Sequence, residues 1–144
     1  MAYLMTYGEV QDFYRRVCAA LRADLAPLGC AFDSKEHFVE PWMHTATPTT
    51  WAFLPVPNGG KPRLVGYVRF DKCMVSPARY FGMYSALTGG RGGNQTIRDL
   101  DWVRRIFLLN VRAELRLIGE AEATAEGATL GVSRELAYIL ERRP

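Results

Sequence analysis

Two histidines and three carboxylates, Asp33, Glu36, His37, Glu40 and His44, fall within twelve residues of the chain. Imidazole with carboxylate is a donor set for zinc, iron or manganese, and also for general acid–base work. The spacing argues against convergence. His37-x-x-Glu40-x-x-x-His44 meets on one side only if it is helical, and Pro41 interrupts a helix there. On a strand, His37 and Glu40 point to opposite faces. A small metal-dependent enzyme would have to be built on His37, Glu40 and His44. Without a helix they read as polar residues of a strand edge and a loop. Nucleophilic catalysis has still less to work with, because Cys30 or Cys73 would need a histidine base and nothing arranges a triad. Cys18, Cys30 and Cys73 form no CxxC pair and no even set, so reduced thiols in a cytoplasmic setting are expected. No motif implies a cofactor.

Cations are the second chemistry on offer, and their distribution is uneven. The chain carries 18 basic and 15 acidic residues, net +3. Residues 61–112 hold ten of those cations (Lys61, Arg63, Arg69, Lys72, Arg79, Arg91, Arg98, Arg104, Arg105 and Arg112) against three carboxylates, net +7, while the segments on either side are each net −2. A small total thus hides a strongly basic middle, suited to an acidic or phosphate-bearing surface.

Two arrangements of these cations are possible interfaces. Arg63, Tyr67, Arg69, Arg79 and Arg91, with Lys72, Tyr80 and Tyr84, mix guanidinium planes with aromatic rings, the combination on which single-stranded nucleic acid stacks. The run Arg63 to Phe70 echoes the RNP1 pattern of RNA-recognition motifs. It departs from that pattern at Leu64 and Val65, and no matching strand precedes the first helix, so no family follows. The other arrangement is Arg98, Arg105, Arg112 and Arg116, which cluster within roughly 40° when projected at helical spacing. That stripe would meet an acidic protein or nucleoprotein. Between the two lies the run Thr88 to Asn94, rich in glycine. Such a loop ahead of a helix can cradle an anion, but neither GxGxxG nor GxxxxGK[ST] is present, and a linker is the simpler reading.

The elements that must position these groups follow from periodicity. Val10, Phe13, Tyr14, Val17, Leu21, Leu25 and Leu28 recur at helical spacing, predicting an amphipathic helix over Tyr7 to Leu28 that Gly29 closes. Short β-type runs follow at Cys30 to Asp33, His37 to Met43, Trp51 to Val56 and Arg63 to Phe70. The last two are joined by Pro57 to Pro62, whose Asn58-Gly59 step suits a hairpin. In the final run alternation puts Leu64, Gly66, Val68 and Phe70 on one face and Arg63, Val65, Tyr67 and Arg69 on the other. Ser76-Pro77 predicts a short helix over Ala78 to Leu87. Thr96 is the expected cap of a long helix over Ile97 to Gly119, extending toward Glu126. Within it Asn110 and Glu114 fall in the apolar arc, where they either satisfy each other or mark a polar pocket. A turn over Gly127 to Gly131 and a last helix over Ser133 to Arg142 complete the chain.

The expected fold is therefore α+β in a single domain, residues 1–144: a long N-terminal helix, a small antiparallel sheet of three to four strands within residues 30–71, and a mainly helical C-terminal half packed on the sheet. No stretch is long and apolar enough for a membrane span. The expected function is that of a non-enzymatic interaction protein, an inhibitor, adaptor or immunity-type accessory factor, using the basic surface of residues 61–112. The alternatives are nucleic-acid binding through the basic and aromatic β-face and a small metal-dependent enzyme around His37 and His44. Leu108, beside the arginine stripe, is a contact residue if the protein dimerises.

Overall fold

The computed structural model describes residues 6–33, 48–54, 62–70, 73–77, 84–86 and 95–142. Helix α1 spans Tyr7–Leu25 and begins with a reciprocal cap. The Thr6 hydroxyl accepts from the Glu9 amide at 3.3 Å, and the Glu9 carboxylate accepts from the Thr6 amide at 3.0 Å. Its apolar stripe, Val10, Phe13, Val17, Leu21 and Leu25, is buried as the periodicity predicts. A 3-10 turn over Ala26–Leu28 then ends at Gly29, whose φ of 77° lies in the left-handed region that glycine enters without penalty.

The sheet runs in chain order through β1 (Ala31–Asp33), β2 (Thr49–Leu54), β3 (Arg63–Arg69), β4 (Met74–Ser76), β5 (Tyr84–Ser85) and β6 (Gln95–Thr96). β1 to β5 pair antiparallel, and β6 adds in parallel beside β5. The α+β class stands, but the sheet is larger than the expected three to four strands and continues past residue 71. Tyr84–Ser85 is a strand where a helix over Ala78 to Leu87 was expected. Tyr84 is completely buried and stacks edge-on against Trp102, ring centres 4.8 Å apart, so a tertiary contact overrides the local helical pattern.

One face of the sheet meets α1 and α2. Phe32, Ala52, Val65, Val68 and Val75 join the main core with both helices, while Trp51 and Phe53 form a second cluster on the opposite face with Ala31, Leu64 and Tyr67. A register shift between Ala52 and Phe53 makes Ala52 pair with Gly66 and Phe53 with Leu64, so Val65 is extra on its strand. This bulge corrects strict alternation at three positions. Val65 and Arg63 turn in toward the helices and Leu64 turns out, while Gly66, Val68, Tyr67 and Arg69 keep the expected faces.

Helix α2 spans Leu100–Glu114, shorter than expected at both ends. Its cap is Asp99 rather than Thr96, with the Asp99 carboxylate accepting from the Trp102 amide at 2.7 Å. At its other end Leu117 N–H donates to Arg112 O at 2.8 Å and Arg116 N–H to Ala113 O at 3.2 Å, the 6→1 and 5→2 pair that terminates a helix. Arg116 occupies the left-handed position there, φ 59°. A residue other than glycine at that site is why the sequence shows no stop. Helix α3 (Glu120–Leu130) folds back along α2 with Gly119 as its cap, and Gly131, φ 75°, closes it before α4 (Ser133–Arg142). Gly127 thus lies inside a helix, and only Gly131 acts as the turn. Replacing Asp99 with Ala removes the α2 cap and should lower stability by about 1 kcal/mol, read as a shift of the urea midpoint at unchanged slope.

Candidate functional site

Of the ten cations of residues 61–112, Lys61, Lys72, Arg79 and Arg91 lie outside the described residues. Of the rest, several are neutralised within the molecule. Arg104 grips Asp24 of α1 through two hydrogen bonds of 2.8 Å, joining the two helices. Arg63 donates to Glu114 at 2.9 Å, and Arg105 to Glu126 of α3 at 2.8 Å. Arg98, just before α2, sits 5.4 Å from the Trp102 ring centre.

The bulge decides what becomes of the basic and aromatic β-face. Arg63 pairs with Leu54, which packs on the main core, and its guanidinium reaches α2, so it stands on the helix side. Tyr67 and Arg69 stand on the other side. The Tyr67 ring is committed to Trp51, centres 5.2 Å apart, and burial pushes its phenol above the usual range. Arg63 therefore shares no face with Tyr67 and Arg69.

Asn110 and Glu114 do not satisfy each other; each has a partner on the sheet side. Asn110 is completely buried and donates from Nδ2 to the carbonyls of Val65, at the bulge, and of Pro77. Glu114, one turn on, holds Arg63 at the start of β3. The two polar residues inside the apolar arc of α2 are thus clasps onto the sheet. Their position in that arc was legible, but their partners were not.

The arginine stripe is divided by the end of α2. Arg105 and Arg112 remain on the helix, Arg98 precedes it, and Arg116 lies in the turn beyond it. Between α2 and α3 runs an open groove of about 320 Å³. Leu108, Leu109 and Ile118 give it an apolar floor. Arg105 and Arg112 mark its α2 edge, and Glu122 and Glu126 its α3 edge. Arg112 and Glu122 are both exposed and make no ion pair with any described residue.

Cys18, Cys30 and Cys73 are buried free thiols, and burial, the largest influence on each, raises their pKa values and disfavours the thiolate. Tyr14 lies near Cys18 and donates to or accepts from the Thr50 hydroxyl at 2.7 Å, its phenol pushed up to about 12 by burial. No group of three histidine, cysteine or carboxylate residues stands close enough to hold a metal among the described residues. Glu36, His37, Glu40 and His44 lie outside them, as do the strand expected over His37 to Met43 and the glycine-rich run Thr88 to Asn94. No described helix is long and apolar enough to cross a membrane. No family model matches this sequence, and neither a curated protein nor a solved structure matches it.

Proposed function

We infer that the protein is a non-enzymatic interaction module, of the inhibitor, adaptor or immunity-factor kind, that engages a protein partner through the α2–α3 face. The groove between these helices carries the reading: an apolar floor provides area to bury, and Arg112 on the rim has no counter-ion among the described residues. The basic surface of residues 61–112 narrows accordingly, because Arg63, Arg104 and Arg105 already have carboxylate partners. Nucleic-acid binding through Arg63, Tyr67 and Arg69 has weaker support, since the bulge divides that set between two faces.

Affinity capture from native lysate, with and without nuclease, tests this reading. The wild-type protein should retain a protein partner after nuclease treatment, while Leu108→Asp and Arg112→Glu should each reduce capture at least tenfold, equivalent to about 1.4 kcal/mol, with thermal midpoints within a few degrees of wild type. Capture that is nuclease-sensitive and indifferent to both substitutions would move the function to another surface.

A further inference from the structure

The charges on the two edges of the groove are of opposite sign, and that asymmetry names an occupant. Arg105 and Glu126 already neutralise each other, so an acidic ligand would satisfy Arg112 on the α2 edge but would confront Glu122 on the α3 edge. A ligand that matches both must present cations to α3 and carboxylates to α2 at the same spacing. This chain presents that pattern itself. We propose that the α2–α3 groove is filled by the α2–α3 groove of a second copy of this chain, related by a two-fold axis running along the groove. The proposal rests on the reading of this groove as protein-binding and names the partner.

The direction of the axis follows from the geometry. α2 and α3 run antiparallel, as the hydrogen bond from Trp102 Nε1 to Leu130 O at 2.9 Å and the Arg105–Glu126 bridge at 2.8 Å require. At 1.5 Å rise per residue, Arg112 lies about 10 Å along α2 from that bridge and Glu122 about 6 Å along α3. The two are thus on opposite edges and out of step by about 4 Å along the groove, and they make no ion pair among the described residues. A two-fold axis along the groove lays α2 of one copy over α3 of the other. It keeps the axial offset of about 4 Å but removes the lateral separation, so Arg112 of each copy approaches Glu122 of the other within the span of two long side chains, and this pairing occurs twice. A two-fold axis across the groove would lay α2 on α2 and set Arg105 against Arg112, two like charges. Only the first arrangement is complementary. Leu108, half-buried at the groove floor, would meet the partner surface near Ala125, whose small, exposed side chain allows close approach.

Charge exchange tests this directly. The wild-type protein at about 100 μM should sediment as a dimer, twice the 16.2 kDa chain mass. Arg112→Glu places two carboxylates against each other at both contacts, and Glu122→Arg places two cations there, so each variant alone should be monomeric at the same concentration. Mixed in equal amounts, the two should form a heterodimer, because each copy then offers what the other lacks; the double variant should recover the homodimer. Circular dichroism should give the same spectrum for all forms, since both positions are exposed. A wild-type monomer at this concentration, or a mixture of the single variants that stays monomeric, would overturn the proposal. If the wild type is monomeric yet loses a lysate partner on Arg112→Glu, the protein-binding reading survives and the self-association fails.

Discussion

Gly66→Ala is expected to destabilise the protein by about 3 kcal/mol, at the upper end of what overpacking costs, with a thermal midpoint roughly 10 °C lower. A Cβ built on Gly66 would lie 2.5 Å from Phe107 Cζ, 2.7 Å from the Pro77 carbonyl and 2.8 Å from the Ser76 carbonyl. The Phe107 ring could shift, but the two carbonyls belong to the backbone at the end of β4, paired against β3. The bulge is the origin of this crowding, because it turns both Val65 and Gly66 toward α2. Gly8→Ala is the control. It stands in the first turn of α1 with nothing within 4 Å of its added methyl, so helix propensity alone should leave it neutral or raise stability by up to about 1 kcal/mol. Equal midpoints for Gly66→Ala and wild type would show that α2 does not press against the bulge.

Asn110→Ala should cost a similar amount, about 3 kcal/mol, by stranding two buried carbonyls, each worth roughly 1 to 3 kcal/mol when unsatisfied. The amide works wholly as a donor here: Nδ2 serves Val65 and Pro77, and Oδ1 has no hydrogen-bond partner among the described residues. That asymmetry separates this role from simple space-filling. Asn110→Asp keeps the shape but turns an oxygen toward the two carbonyls, so its carboxyl is held protonated and its folded pKa rises above the unfolded value of about 3.9. Below that value both states are protonated and the variant loses little beyond wild type. As pH climbs above it the unfolded state ionises first, so the variant's deficit should widen from pH 4 toward neutrality. Urea midpoints across that range measure it. A deficit independent of pH would mean that the carboxyl escapes to solvent.

How much of this was legible in the sequence differs by element. The stripe from Val10 to Leu25 specifies α1 because every buried position repeats at helical spacing, and the cap residues Thr6 and Glu9 sit where a reciprocal cap needs them. The hairpin strands β2 and β3 were visible in their β-branched and aromatic runs. Their faces were only partly so, because the extra residue Val65 exchanges three side chains, Arg63, Leu64 and Val65, between faces without any mark in composition. The end of α2 was hidden for a related reason. Arg116 takes a backbone conformation usually signalled by glycine, and the energy that holds it there comes from packing α3 against α2. β5 was concealed beneath a helical pattern that the burial of Tyr84 overrides.

The α+β class, the first helix, the basic middle segment and the polar pair Asn110 and Glu114 inside an apolar arc are all readable from the chain, because each depends on residue type and near spacing. Which charges are spent internally depends instead on long-range packing. Arg63 with Glu114, Arg104 with Asp24 and Arg105 with Glu126 join residues 51, 80 and 21 positions apart, pairings that no local pattern encodes. Net charge is a sum over the chain, whereas the charges left at the surface depend on which of these pairs form. Arg112 and Glu122 stand on opposite edges of an apolar groove because α2 stops and α3 turns back beside it.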